Sequence, residues 1–328
     1  MTPPESPHFN GKTFSPPGHA SARGWRDILR WKLSAQPRPW PHRVEFAPAS
    51  KPLEPPGRQC VATWIGHSTF LLRTPTLTFI TDPVFSERAG PLGWFGPRRV
   101  HRPGIAFADL PPIDAVLLSH DHYDHWDLPT LRELARRHDP LFVTPLRHAD
   151  LLRQAGARRA VELDWWQTHP LAGARITLTP AQHWSNRIGR PRNHRLWGGY
   201  FVNLPGPAAR ADTESEERTF WFAGDTGYHA PMFEAIRRHC GRPDLALLPI
   251  GAYEPRWFMA PVHMNPAEAV QVHRQLEARL SLAMHWGTFR LTDEAREDPL
   301  RELEQARRDQ GVASEAFRAL APGESARI

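Results

Sequence analysis

Three histidines and two aspartates stand within six residues, in the sequence HDHYDH at positions 120–125, directly after an apolar run. In an extended or tightly turned segment, His120 and His122 point to one side and are able to share one metal ion. Asp124 and His125 then turn toward a second ion. Imidazole nitrogens combined with carboxylate oxygens suit zinc, iron or manganese better than calcium or magnesium, which prefer oxygen ligands alone. The spacing therefore predicts a transition-metal site.

Three further polar residues each follow a predicted strand. They are His183, Asp225 and His285. Asp225 stands among small glycines, which we expect to let the backbone approach a metal closely. A single histidine after a strand is more often structural than a ligand. Five histidines and two aspartates at four successive strand ends together predict one composite site at a sheet edge.

The elements that must position this site are predicted from the alternation and periodicity of apolar residues. Strands are predicted at 61–65, 69–73, 77–81, 115–118, 141–144, 161–166, 175–179, 201–203, 220–222, 245–250 and 282–284, and helices at 128–138, 147–155, 231–239, 265–279 and 298–310. Asn265 begins one helix as its N-cap, with Pro266 at the first helical position and Glu268 completing a capping box. Residues 205–218 form a connection rich in proline, alanine and glutamate. This order predicts a layered α/β domain over residues 57–328.

Residues 1–56 hold 12 of the 35 prolines and little periodic pattern, which predicts an extended arm around that domain. A short helix is predicted at 24–33, with Trp25, Ile28 and Leu29 on one face and Trp31 toward its edge. Because arginine and lysine alternate with these apolar residues, the helix suits a membrane surface. Alternatively, this helix docks on the chain's own domain.

The overall composition, with 40% hydrophobic and 23% charged residues, is that of a globular protein. No apolar run approaches the roughly 18 residues that span a bilayer, and no secretory signal is recognised, so a cytoplasmic location is expected. Two distant cysteines fit a reducing compartment. The net charge of +6 comes almost entirely from arginine. Such a surface attracts phosphate-bearing partners, but a GC-rich genome also produces this composition.

These motifs together resemble the metallo-β-lactamase superfamily and, more closely, the N-acylphosphatidylethanolamine-hydrolysing phospholipase D family. The resemblance covers roughly residues 60–295 and rests on LSHDHYDH at 118–125, ELDWW at 162–166, QHW at 182–184, LWG at 196–198, FAGDTGY at 222–228, IGAYEPRWFM at 250–259 and HWGTF at 285–289. Asp121 departs from the asparagine of the mammalian members, at a position that is not a ligand. The resemblance implies an αββα sandwich with two zinc ions per chain in a groove between the sheets.

The same resemblance implies a role for each site residue. His120, His122 and His183 would hold the first zinc, Asp124, His125 and His285 the second, and Asp225 would bridge both. The catalytic residues would be Asp225 and His263, and the substrate contacts Tyr123 and His263. Attack by a metal-bridging hydroxide on phosphorus would convert N-acylphosphatidylethanolamine, or a related phospholipid, to phosphatidic acid and an N-acylethanolamine.

Other functions remain open on the same metal site. A lactonase or phosphodiesterase acting on a small phosphorylated substrate is the main alternative. A nuclease is less favoured, because neither a basic arm nor an added RNA-binding domain is recognised, and no nucleic-acid partner is expected. A non-catalytic protein on this fold usually lacks ligands, whereas all seven are present here. The expected partners are a phospholipid, a membrane surface contacted peripherally and a second copy of the chain in a homodimer.

Overall fold

The computed structural model describes residues 6–18, 24–46, 52–55, 59–205 and 217–328. The arm therefore lies only partly within the described residues. The connection predicted at 205–218 lies almost wholly outside them.

Two seven-stranded sheets form the centre of the described chain. The first contains β1 (Val61–Gly66), β2 (Thr69–Arg73), β3 (Thr78–Thr81), β4 (Ala115–Leu117), β5 (Leu141–Pro145), β6 (Arg159–Leu163) and the last strand of the chain, β14 (Ser325–Arg327). Its order is β14-β1-β2-β3-β4-β5-β6, antiparallel from β14 to β3 and parallel from β3 to β6.

The second sheet has a similar plan. It contains β7 (Thr168–Leu171), β8 (Ala174–Thr179), β9 (Gly199–Leu204), β10 (Arg218–Phe222), β11 (Leu245–Pro249), β12 (Leu280–Met284) and β13 (Phe317–Arg318). Its order is β13-β12-β11-β10-β9-β8-β7, antiparallel from β7 to β10 and parallel from β10 to β13. The loops that follow parallel strands lie at the same edge of the sheet.

Helices flank the two sheets. They are α1 (Trp25–Ser34), α2 (Leu128–His138), α3 (Ala149–Ala155), α4 (Ala230–Cys240), α5 (Arg256–Met259), α6 (Pro266–Gln275) and α7 (Asp298–Gln310). Within β4, Ala115 and Leu117 belong to the large core cluster, whereas Val116 packs with Leu131 and Leu134 of α2. This alternation follows from the two-residue period of a strand and lets one short segment serve two layers. The predicted αββα sandwich is confirmed.

The predicted capping box at the start of α6 is present. The Asn265 side chain accepts a hydrogen bond from the Glu268 backbone N–H at 2.9 Å, and the Glu268 side chain accepts one from the Asn265 N–H. The helix ends at Gln275, before the predicted residue 279. The strand predicted at 161–166 ends at Leu163, because Trp166 takes a left-handed φ of 71° in the turn that follows. Three strands were not predicted: β7, β13 and β14.

The arm helix α1 packs on the rest of the chain through Trp31, which was predicted at the edge of its apolar face. The Trp31 ring stacks on Phe258 with centroids 5.1 Å apart, and its Nε1 donates to Asp293 at 3.1 Å. Ile28 and Leu29, predicted on the apolar face, are about half exposed. Within the described ranges, no helix combines the length and the apolar character that crossing a bilayer requires.

Candidate metal centre and substrate groove

The structure brings all seven predicted metal ligands to one end of the space between the sheets. The loop after β4 carries His120, His122, Asp124 and His125, while His183, Asp225 and His285 follow β8, β10 and β12. The donor atoms of these loops fall into overlapping groups, within each of which they lie no more than 4.8 Å apart. A segment of local sequence and three distant strand ends thus assemble into one cluster of donors.

The first group of donors contains only imidazoles. His120 Nε2 lies 2.9 Å from His122 Nδ1, and His183 Nε2 lies 3.4 Å from the same atom. Burial lowers the pKa of all three histidines, those of His120 and His183 to well below the usual value. Neutral rings with converging nitrogens are the form in which histidine ligates a metal.

The second group mixes imidazole with carboxylate. Asp124 Oδ2 lies 3.4 Å from both His125 Nε2 and His285 Nε2. Burial acts to lower the pKa of His285, but the carboxylates of Asp225 and Asp124 outweigh it and raise that pKa to about 9. The pKa of His125 is likewise raised well above its usual value against the effect of burial. Without a metal, protons on these rings balance the carboxylates, and a cation would replace them.

Asp225 lies between the two groups. Its Oδ2 atom is 3.2 Å from His125 Nε2, 3.1 Å from His285 Nε2 and 3.9 Å from His183 Nε2. Its Oδ1 atom is buried and has no hydrogen-bond partner. This placement suits the bridging role predicted for Asp225, which stays a prediction.

The glycine before Asp225 lets its loop pack closely against two neighbouring loops. Gly224 has a left-handed φ of 62°, and a Cβ built on it would lie 2.8 Å from the Ser119 Cβ and 2.9 Å from the Gly198 carbonyl oxygen. The neighbour that excludes a side chain here is therefore the histidine loop itself. The close approach of the backbone to a metal at this glycine stays a prediction.

Two residues outside the predicted set contact the predicted ligands. Asp82, at the end of β3, is fully buried and accepts hydrogen bonds from His125 Nδ1 at 2.6 Å and from the Ser119 N–H at 2.7 Å. His67, in the β1–β2 turn, places Nε2 3.0 Å from Asp124 Oδ2. Partners of this kind orient metal ligands and fix their tautomers. Both stand at strand ends, but an isolated polar residue there is too common to select from sequence.

The donor set fits transition-metal ions. One buried donor atom in it, Asp225 Oδ1, has no hydrogen-bond partner. A buried polar atom without a partner carries a desolvation penalty, which a metal bond would remove. Imidazole with few carboxylates matches zinc and its neighbours rather than calcium or magnesium.

A groove of about 300 Å³ opens on this cluster and has two dissimilar ends. Its polar end is formed by His122, Asp124, Asp225, His263 and His285. Its apolar end is formed by Ile28, Trp31, Phe258, Met259, Val262 and Leu291, so the arm helix supplies part of the wall. Arg192 and Trp184 also line the groove, with the guanidinium 4.2 Å from the indole centroid.

The two predicted substrate contacts have different settings. His263 lines the groove, with Nδ1 3.9 Å from Asp225 Oδ2, and burial lowers its pKa to about 4, so its ring is neutral at pH 7. Tyr123 lies under the Arg187 guanidinium, 4.1 Å from its ring centroid, and Arg187 in turn donates to the Asp121 carbonyl. The substrate roles of both residues stay predictions.

The Asp121 side chain has a structural partner. It forms a buried ion pair of 3.0 Å with Arg195, which also pairs with Asp150 at 2.7 Å. In the ELDWW motif that carries the resemblance, Trp165 stacks on His8 of the arm and Trp166 packs on His239.

Comparison with known proteins agrees with this geometry. Residues 78–286 match the family model described as the beta-lactamase superfamily domain. The chain is 38% identical over 262 residues to the N-acyl-phosphatidylethanolamine-hydrolyzing phospholipase D 1 of Caenorhabditis elegans, covering 76% of this chain and 70% of that protein. It is 31% identical to a metal-dependent hydrolase of Opitutus terrae, covering 81% of this chain and 99% of that one.

A solved structure has the same fold at low sequence identity. A possible metal-dependent hydrolase from Veillonella parvula superposes with a TM-score of 0.62 at 17% identity, over 82% of this chain and all of that one. The chain is a metal-dependent hydrolase that belongs to the β-lactamase superfamily, in the family of the N-acylphosphatidylethanolamine-hydrolysing phospholipases D.

Proposed function

We propose that the protein is a zinc-dependent phosphodiesterase of phospholipase D type. Its substrate would be N-acylphosphatidylethanolamine or a related phospholipid, and its products phosphatidic acid and an N-acylethanolamine. The observation that supports this most is the groove, in which metal donors and an apolar wall share one cavity. A phospholipid has the same two parts, a charged phosphodiester and acyl chains.

Two zinc ions would be held by the residues of the two donor groups. His120, His122 and His183 would bind one ion and Asp124, His125 and His285 the other, with Asp225 shared between them. Bound zinc supplies a Lewis acid for the phosphoryl group and lowers the pKa of water to about 7. Asp82 and His67 would keep the His125 ring and the Asp124 carboxylate in their ligating orientations.

The other polar residues of the groove would bind the phosphodiester. His263 is neutral, and its Nδ1 has no hydrogen-bond partner, so the ring has a nitrogen free to bond to a phosphoryl oxygen. Arg192 would place a positive charge beside the phosphodiester while its stacking on Trp184 holds it in position. Tyr123 would support this arrangement through its contact with Arg187.

The membrane surface would be met through the elements that border the groove. Leu33 of α1 and Ile188, in the loop between Trp184 and Arg192, are each 80% exposed. Exposed apolar side chains on a short helix with basic neighbours suit the interface of a bilayer. We therefore propose peripheral binding, with α1 lying against the lipid and the groove open toward it. A homodimer is also proposed, and light scattering in solution tests it.

Product analysis by mass spectrometry tests the proposed reaction. Zinc-loaded protein is incubated with N-acylphosphatidylethanolamine in mixed micelles, beside Asp225→Asn as a site variant and Asp139→Asn as a surface control. Phosphatidic acid and N-acylethanolamine are expected from the wild type and from Asp139→Asn, and neither from Asp225→Asn. Absence of lipid products from zinc-loaded wild type would reject the lipid substrate. The same metal site would then be assigned to a small phosphorylated substrate.

A further inference from the structure

A second cavity, of about 510 Å³, lies outside the groove and is rich in arginine. Its charged wall consists of Arg43 from the arm and Arg98, Arg99 and Arg102 from the loop after β3, with Glu87 as the one carboxylate among its described lining residues. We call these four arginines and the space between them the arginine pocket. None of its described lining residues lines the groove.

Two of the four guanidiniums are balanced by a carboxylate and two are not. Arg43 pairs with Glu45 at 2.5 Å, and Arg98 pairs with Glu87 at 2.5 Å. Within the described ranges, neither Arg99 nor Arg102 has a carboxylate oxygen within 4.0 Å. The pocket therefore keeps an excess of positive charge after its internal ion pairs are formed.

Arg99 carries its charge into the protein interior. Only 8% of the residue is exposed, and its Nε and Nη2 donate to the carbonyl oxygens of Ser86 at 3.1 Å and Val84 at 2.8 Å. Its Nη1 has no hydrogen-bond partner, although the guanidinium carbon lies 5.4 Å from the Phe289 ring centroid. Burial lowers the pKa of Arg99 to about 10, so the group stays charged at neutral pH. The Asp127 carboxylate offsets part of the cost of burying this charge without forming an ion pair with it, and a bound anion would offset more of that cost.

The backbone of the pocket is held in place before any ligand arrives. The Arg99 N–H donates to the Glu87 carbonyl at 2.9 Å, and the Val100 N–H donates to the Thr288 carbonyl at 3.0 Å. The Val44 N–H donates to the Val100 carbonyl, which ties the arm to the loop at 2.6 Å. A site whose wall is already ordered loses less entropy on binding.

We propose that the arginine pocket binds a phosphate-bearing anion at a site separate from the metal centre. Guanidinium groups present paired N–H donors that match the oxygens of phosphate, and phosphate can engage several of them at once. A cavity of this size accommodates a small phosphate ester, or the headgroup of a phospholipid at a membrane surface. The phosphate is the chemistry that both sources share.

Isothermal titration of the zinc-loaded full chain with glycerol 3-phosphate tests the soluble source. The pocket variant is Arg98→Gln/Arg102→Gln, and the charge-matched control is Arg153→Gln/Arg238→Gln, whose arginines are exposed on α3 and α4. We expect the wild type and the control to bind glycerol 3-phosphate in the pocket. The pocket variant should bind it with an affinity at least about tenfold lower. Asp225→Asn should still bind glycerol 3-phosphate in the pocket although it loses activity, so failure of this proposal is distinguishable from failure of the proposed function.

Vesicle pelleting tests the lipid source with the same variants. The vesicles contain phosphatidylcholine alone or with phosphatidylglycerol. Selective loss of anionic-vesicle binding in the pocket variant identifies a lipid phosphate as the ligand, whereas loss of glycerol 3-phosphate binding identifies a soluble ester. Thermal melts establish that the variants fold. If the double variant does not fold, the single variant Arg102→Gln replaces it. Equal binding of both probes by wild type, pocket variant and control would overturn the proposal, as would binding of neither probe by the wild type.

Discussion

The two ends of the groove are built in different ways. At the metal end, His120, His125 and His285 are almost fully buried. Hydrogen bonds orient two of these rings: His120 bonds to Ser119 of its own loop, and His125 donates to Asp82 after β3. At the apolar end, part of the wall is the arm helix, where Ile28 is about half exposed and Trp31 supplies the stacking contact. A buried end that carries the predicted metal ligands is thus joined to a partly exposed end to which the arm helix contributes. Changes at the two ends should therefore have separable effects.

The largest effect is expected from Asp225→Asn at the metal end. The amide removes the charge that lies between both donor groups, so we expect loss of most bound zinc and a fall in activity of about a thousandfold or more. Atomic absorption of the purified protein measures the metal, and lipid turnover measures activity. Asp139→Asn, on the surface, should change neither quantity. Full turnover by Asp225→Asn would contradict a two-metal site.

His67→Ala is expected to weaken the metal end without removing a predicted ligand. Loss of its contact with Asp124 frees that carboxylate, so zinc affinity should fall about tenfold to a hundredfold. Competition with a chromophoric chelator measures the affinity, with His169→Ala on β7 as the control. If zinc affinity is unchanged while activity falls, His67 does not act through Asp124.

Zinc affinity is expected to rise with pH. The pKa of His285 in the metal-free protein is about 9, so its ring is protonated at neutral pH and must lose that proton to ligate zinc. Each displaced proton should raise affinity up to about tenfold per pH unit below that pKa. Calorimetry in buffers of different ionisation enthalpy counts the protons released. An affinity that is flat from about pH 6 to about pH 8 would contradict this protonation state.

Trp31→Ala is expected to act at the apolar end alone. Removing the indole opens the wall beside Phe258, and kcat/KM for long-chain substrates should fall about tenfold with zinc content unchanged. The kcat/KM for short-chain analogues should fall much less, and assays with substrates of increasing acyl-chain length measure this difference. Trp94→Ala, at an exposed tryptophan, is the matched control. An equal loss for every chain length would mean that Trp31 does not contact the acyl chain.

The smallest effect is expected from Leu33→Ser on the exposed side of α1. Removing one apolar side chain from the proposed membrane contact should weaken vesicle binding about threefold. Activity on substrate below its micelle concentration should stay the same. Leu53→Ser is the control, since Leu53 lies beside Arg73 of β2 and not on α1. Unchanged pelleting of Leu33→Ser would remove this position from the membrane contact.

The sequence predicted the metal end because its signal is local and dense. The HDHYDH segment holds four predicted ligands in six residues, and the remaining three predicted ligands follow apolar strands with clear boundaries. The capping box at Asn265 was predictable for the same reason, since its partners stand three residues apart. Strand β7 was missed because its residues are exposed or half-buried and show no apolar run.

The apolar end and the supporting residues depend on contacts distant in sequence. Trp31 stacks on Phe258, more than two hundred residues away, and helical periodicity cannot indicate such a partner. His67 supports Asp124 across 57 positions, and Asp82 supports His125 across 43. Single polar residues at strand ends become informative only when the fold shows what they contact.

Hydrolysis in water enriched in heavy oxygen tests the central claim most directly. Zinc-loaded protein is given N-acylphosphatidylethanolamine, and mass spectrometry locates the label in the products. Attack at phosphorus with departure of the alcohol predicts label in phosphatidic acid and none in the N-acylethanolamine. Label in the N-acylethanolamine, or no lipid product from fully loaded protein, would contradict a phospholipase D-type reaction in this groove.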